Sequence, residues 1–181
     1  MAEEFGPATP YRYCPVDATP LEKSGGSQTG MKCPECGRSW YRNASPSTGC
    51  ALVEDGKVLV TVRAGEPEKG RVDVPGGFLE PGEHPVDALV REVQEELGVE
   101  IDDIIGPLIM ATHTYGENGP FVLALGFAAR LVEGVPTPAD DVASFRWVAA
   151  DELDTLDFAW PHDRELVELT LQMEGDGAWR E

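Results

Sequence analysis

Basic residues are scarce in this chain: 14 Lys and Arg stand against 33 Asp and Glu over 181 residues, a net charge of −19. So negative a surface repels polyanions and excludes nonspecific nucleic-acid binding. Long apolar runs are also absent. Nowhere do about 18 apolar residues follow one another, the length a membrane-spanning helix needs, so no membrane partner is expected. Residues 1–20 show no basic start followed by an apolar stretch; no secretory leader is expected and the chain reads as cytoplasmic. Internal repeats and low-complexity segments are missing. Cysteine is limited to four residues, which in a cytoplasmic protein are not expected to form disulfides. What is present suffices for one core of ordinary size with a small appendage.

The charge is uneven. Residues 1–43 hold five basic and five acidic residues, which leaves 9 of the 14 basic and 28 of the 33 acidic residues in 44–181. Residues 1–10, rich in Pro, Ala and Glu, read as a mobile tail. Residues 11–43 carry Cys33-Pro34-Glu35-Cys36-Gly37, a C-x-x-C turn of the kind that forms a zinc knuckle. Cys14-Pro15-Val16-Asp17 reads as its partner, with Asp17 where a second cysteine would stand. Eighteen residues separate Cys14 from Cys33, the two-knuckle spacing of a zinc ribbon. Cys14, Asp17, Cys33 and Cys36 are the expected zinc ligands; a different fourth ligand, or a degenerate ribbon without metal, remain alternatives. A segment with so few aliphatic residues needs such a staple.

The stretch Gly76–Val99 organises residues 44–181. A glycine turn leads to Pro85, suited to a first helical turn, and Gly98 suits the C-terminal cap. Val86, Leu89, Val90, Val93 and Leu97 recur at helical spacing and predict a buried stripe. Glu92, Glu95 and Glu96 share a different arc, and three carboxylates that close repel unless a cation sits among them. Ala88 leaves that face free of bulk, and Arg91, one turn before Glu95, is placed to orient it.

The spacing continues on both sides: Gly77, Glu83, Arg91-Glu92, Val93, Glu95-Glu96, Gly98, Val99. Over these 23 residues the chain resembles the Nudix box without a departure. The resemblance implies an α/β/α sandwich with a mixed sheet and a Mg²⁺- or Mn²⁺-dependent hydrolase. Such an enzyme cleaves the diphosphate of a nucleoside diphosphate linked to another moiety. It implies Glu92, Glu95, Glu96 and the carbonyl of Gly76 as metal ligands. Glu83 and Arg91 are expected to brace loop and helix, with Glu95, Glu96 and Arg91 serving catalysis. The general base is either a box glutamate or a later acid, Glu117 first, with Asp140, Asp141 and Glu152 behind it. Arg63, Lys69 and Arg71 are expected to reach phosphates, and Phe78 and Tyr115 to stack on a base.

For the substrate, a ribbon before the box is similar to the NADH pyrophosphatase branch. The SQPWPxPxS motif of that branch is missing, however, and the segment reads GPLIMATHTYGENGP. The coenzyme A signature is half present (Leu59, Thr61, Arg63, Ala64), with Glu68 where an arginine belongs. Tyr115 matches a tyrosine position linked to dinucleoside polyphosphate hydrolases. The expectation is therefore an ADP-linked small molecule such as ADP-ribose or FAD, releasing AMP. Alternatives are NADH, dinucleoside polyphosphates, coenzyme A, or a non-catalytic sensor of ADP-ribose-like ligands. Family habit implies a homodimer.

The coarse element pattern agrees with an α/β fold. Trp40–Ser47 reads as a linker into a main domain over 44–181. Gly49–Glu54 and Lys57–Arg63 form a hairpin about Asp55-Gly56, Ala64–Arg71 a loop, and Ile104–Tyr115, Phe121–Leu131 and Ser144–Val148 strands. A helical turn starts at Asp151. A closing helix spans Asp163–Met173 with Leu166, Leu169, Thr170 and Met173 on one side. Cys50 reads as a small buried hydrophobe.

Overall fold

The structure, a computed structural model, describes residues 11–25, 30–117 and 119–177; the tail expected over residues 1–10 lies outside them. Its contacts divide the chain into two units, Met1–Ala44 and Ser45–Glu181.

In the first unit, β1 (Glu22–Lys23), β2 (Gly30–Lys32) and β3 (Ser39–Tyr41) form an antiparallel sheet. Two knuckles repeat one backbone pattern. The Cys33 N–H donates to Arg38 O (2.9 Å) and Gly37 N–H to Cys33 O (3.0 Å); the Cys14 N–H donates to Thr19 O (2.8 Å) and Ala18 N–H to Cys14 O (2.8 Å). Gly37 is left-handed at φ 73°, and Ala18 takes the equivalent place at φ 58°.

The second unit is built on β4 (Ser45–Glu54) and β5 (Lys57–Arg63). Asp55 and Gly56 both have positive φ, as a tight two-residue hairpin turn requires. The strand β4 begins at Ser45, inside the segment expected to be a linker, because its first residues are already paired. Ser45–Val53 run parallel to β9 (Phe121–Glu133), and Ser47–Gly49 run antiparallel to β7 (Gly76–Phe78). With β8 (Glu100–Thr114) and β10 (Val142–Val148) the sheet order is β10-β5-β4-β9-β8, and β6 (Val72–Asp73) joins β5. One parallel pair among antiparallel ones makes the sheet mixed.

Alternation along β4 and β5 loads both faces. Cys50, Leu52 and Leu59 face α1 (Pro85–Leu97), against Leu89, Val93 and Leu97. Ala51, Val53, Val58 and Val60 face α2 (Pro161–Gly175), against Leu166, Val167 and Leu171. Each fully buried aliphatic side chain contributes about 1.5–3 kcal/mol. The result is the α/β/α sandwich, with a 3₁₀ turn over Ala150–Thr155 before α2.

Both helices differ in detail from the expected stripes. In α1 Val90 is 40% exposed while Ala88 and Glu96 are buried, so the buried arc is rotated toward the glutamates. In α2 the buried set is Asp163, Leu166, Val167, Thr170 and Leu171, while Leu169 and Met173 are half-buried. Spacing alone permits either arc; the sheet beneath selects one. Among the described residues no helix is long and apolar enough to cross a membrane.

Candidate functional site

Two glycines set the geometry of the turn before α1. Gly76 has φ 151°, and a Cβ there would lie 2.1 Å from the Thr48 carbonyl oxygen; a Cβ on Gly77 would lie 2.5 Å from the Glu92 carboxylate. The turn is thereby drawn against the helix, and the Gly76 N–H donates to Glu96 Oε2 at 2.9 Å. Helix α1 starts cleanly: His84 caps it through Nδ1, Pro85 opens it, and Gly98 closes it at φ 68°.

Arg91 is the brace. It donates twice to Glu83, from Nε to Oε1 (2.8 Å) and from Nη2 to Oε2 (2.9 Å). It also donates to Glu92 Oε1 (2.8 Å), Glu95 Oε2 (3.2 Å) and the Phe78 carbonyl (3.2 Å). The bidentate pair lowers the Glu83 carboxyl to about 2, chiefly through the Arg91 hydrogen bonds. Glu95 is exposed and turned to Arg91.

Glu96 is 4% exposed. Burial first, then the Asp141 carboxylate beside it, pushes its carboxyl up to about 10. Burial also raises Glu92, although Arg91 opposes the shift. Asp141 arrives from the loop after β9, tied down where Ala139 N–H donates to Glu96 O (2.9 Å), Thr137 N–H to Leu97 O (2.8 Å) and Ala64 N–H to Asp141 O (2.7 Å). Oxygen donors this crowded suit a hard divalent cation, whose charge would favour their ionised forms.

Gly76 and Asp141 open onto a cleft of about 130 Å³. One wall is a row of rings. His113 lies 4.9 Å from His162 and 4.4 Å from Trp160, Trp160 stacks 6.0 Å from Tyr115, and Tyr115 meets Phe78 edge-on at 5.6 Å. Arg63 supports it, donating to Tyr115 Oη (2.8 Å), Asp73 Oδ2 (2.6 Å) and Pro67 O (2.7 Å).

The structure thus brings Gly76, Arg63, Phe78 and Tyr115 to one cleft, with Glu96 immediately behind Gly76 and Asp141. It does not bring Lys69, which is exposed, or Arg71, which is held by Glu68 (2.6 Å) and Asp157 (2.7 Å). Glu117 is exposed and outside the cleft lining. Asp73, His113, Trp160, His162 and Asp163 line the cleft, although no sequence motif points to them. The ring-bearing pairs His113/Tyr115 and Trp160/His162 are the available signal, but nothing local shows that they meet.

In the first unit, ligand atoms of Cys14, Asp17, Cys33 and Cys36 all lie within 4.8 Å of one another. Cys14 Sγ and Cys36 Sγ are 3.7 Å apart, and Cys33 Sγ lies 3.4 and 3.6 Å from the Asp17 oxygens. Tetrahedral ligands at about 2.3 Å (sulfur) and about 2.1 Å (oxygen) from one ion stand roughly 3.5–3.8 Å apart, so the set fits zinc. The thiols are free.

Comparison with known proteins gives concordant results. The NUDIX domain model matches residues 44–170. A protein named NAD-capped RNA hydrolase NudC from Stutzerimonas stutzeri is 34% identical over 163 residues, covering 89% of this chain and 56% of that protein. A protein of the same name from Pseudomonas aeruginosa is 31% identical over 163 residues, covering 88% and 55%. The chain spans about half the length of these relatives. A NUDIX hydrolase structure from Nitrosomonas europaea superposes with TM-score 0.74 at 21% identity, over 92% of this chain and 94% of that one. A MutT NUDIX hydrolase from Burkholderia pseudomallei gives 0.59 at 28%, over 70% and 97%.

Proposed function

The chain belongs to the Nudix family, and on that basis we propose that it is a divalent-metal-dependent pyrophosphohydrolase acting on a NAD-type dinucleotide and releasing nucleoside monophosphates. The observation that carries this reading is the shared cleft: the Gly76 turn and Asp141, backed by Glu96, form its floor, and the row of rings forms its wall. A dinucleotide pyrophosphate needs both, carboxylates at the phosphates and flat surfaces for a ring. The names of the matched relatives favour an NAD-type substrate over ADP-ribose or FAD. The missing SQPWPxPxS segment is offset here by His113 and Tyr115, which supply ring contacts from the same stretch.

Glu92, Glu96 and the Gly76 carbonyl are the assigned magnesium ligands. When bound, Mg²⁺ neutralises charge on the phosphoryl oxygens and lowers the pKa of a coordinated water. Arg91 holds Glu92 in register through its grip on Glu83, and Glu95 is assigned to that brace. Asp141, reaching the cleft from solvent, replaces Glu117 as the acceptor of the proton the attacking water gives up. In the first unit, Cys14, Asp17, Cys33 and Cys36 are assigned to a structural zinc ion.

The test is hydrolysis of NAD, NADH, ADP-ribose, FAD, diadenosine polyphosphates and coenzyme A with Mg²⁺ or Mn²⁺, with product identification. NAD should give nicotinamide mononucleotide and AMP at the highest kcat/KM. Saturable binding without cleavage would replace this reading with that of a sensor.

A further inference from the structure

Among the described residues, Thr48 Oγ1, His113 Nδ1 and Asp163 Oδ2, all on side chains that line the cleft, are buried without a hydrogen-bond partner. Buried polar atoms are normally paired, and three on residues lining one cleft are what a polar ligand satisfies. Asp163 is the most informative. It sits in the first turn of α2, 6% exposed, next to His162 of the row of rings. Its neighbour Asp73 is already engaged, accepting from Arg63 Nη1 (2.6 Å) and from the Val74 N–H (2.9 Å). His162 Nε2 stands 3.6 Å from Asp163 Oδ1.

We infer that Asp163, with His113 and Thr48, forms the edge-reading end of the cleft, accepting an uncharged flat ring that carries an NH₂ group and refusing one that carries a carboxylate. The inference rests on the reading of the cleft as a dinucleotide site and names which ring it selects. Burial first, then the Asp73 charge, pushes the Asp163 carboxyl well above the usual carboxylate range. A proton on Asp163 shared with Asp73 leaves one carboxyl oxygen as an acceptor. Arg63 is the one Lys or Arg among the described lining residues, and Asp73, Tyr115 and Pro67 occupy it. A ligand carboxylate would therefore meet acidic groups with no counter-charge, whereas an amine or carboxamide would find acceptors beside a stacking surface.

Two rings of a NAD-type molecule carry such a group, nicotinamide and adenine, and two analogues separate them. Titration calorimetry of the full-length protein without added Mg²⁺ would compare NAD, its nicotinic acid analogue and its hypoxanthine analogue. One analogue should bind at least ~10-fold more weakly than NAD. Loss with the nicotinic acid form places the carboxamide at Asp163; loss with the hypoxanthine form places adenine there. Asp163→Leu should abolish the discrimination. Asp163→Asn should retain it, its NH₂ facing Asp73 and its carbonyl the cleft. If Asp163→Leu does not fold, wild type and Asp163→Asn still decide. Binding of both analogues within ~2-fold of NAD, or no binding of any of the three, overturns the inference. Turnover with Mg²⁺, measured alongside, keeps the two readings apart: hydrolysis with equal binding sinks this one alone, and selective binding without hydrolysis sinks only the hydrolase.

Discussion

Buried acids stand out at the residue scale. Glu96 has two neighbours that a glutamine satisfies equally well: the Gly76 N–H, which donates to it, and Asp141, which can accept from it. Glu96→Gln should therefore leave the melting temperature unchanged or slightly raised, while kcat for NAD falls by ~100-fold or more through loss of a metal ligand. Calorimetric melting beside kinetics checks both, and a variant that keeps full activity would remove Glu96 from the metal site. Asp163 makes a different prediction. Its folded-state pKa is raised above the unfolded one by burial. The folded state therefore holds a proton that the unfolded state releases, and stability declines as pH rises from the unfolded value toward the folded one. Asp163→Asn has no such proton, so its melting temperature relative to wild type should climb as pH rises above the ordinary carboxylate range. A difference that stays flat with pH would mean Asp163 is ionised in the folded protein. The His162 imidazole, pushed down to about 4 by burial and by His113, acts at the other end: it favours folding above pH 6.5 and loses that contribution as the medium acidifies toward 4.

The two knuckles of the first unit compare the same backbone turn with and without glycine. The Gly37 N–H donates back to the Cys33 carbonyl and the Ala18 N–H to the Cys14 carbonyl, and both residues are left-handed. An L-residue there crowds its Cβ against the backbone, at a cost of about 1 kcal/mol. Ala18→Gly should therefore stabilise the unit by ~0.5–1 kcal/mol, read as slower zinc release to a chelator; faster release would show that the strain is absent. Elements formed by such local chemistry are legible in the amino-acid sequence. The Asp55-Gly56 hairpin, the Pro85–Gly98 limits of α1 and the C-x-x-C turn each follow from neighbouring residues. The arc that each helix buries is not legible, because Val90 and Ala88 both fit a 3.6-residue repeat and the sheet chooses between them. Asp141 is harder still. It reaches Glu96 only because Thr137 and Ala139 bond the last carbonyls of α1 across the fold, and a sequence contains no distance between segments so far apart.

For the molecule as a whole, charge is the property that sequence conveys in full. Residues 44–181 hold 28 acidic residues against 9 basic ones, and Arg63, the one Lys or Arg among the described lining residues of the cleft, is already paired. The matched relatives are named for NAD-capped RNA, yet a domain with this excess of acidic residues repels a polyanionic RNA chain. Free NAD carries few charges, so this repulsion acts on it weakly. Repulsion between exposed charges reaches ~30 Å at 10 mM ionic strength and ~8 Å at 150 mM. Adding a monovalent salt at fixed Mg²⁺ should therefore leave kcat/KM for NAD nearly constant and raise it several-fold for NAD-capped RNA. That slope is opposite to that of a basic nucleic-acid binder, whose affinity falls with salt through counterion release. The measurement is the ratio of the two kcat/KM values across the salt series. A ratio that favours RNA at low salt and falls as salt is added would reveal a basic track for the RNA backbone and overturn the assignment of a free dinucleotide as substrate.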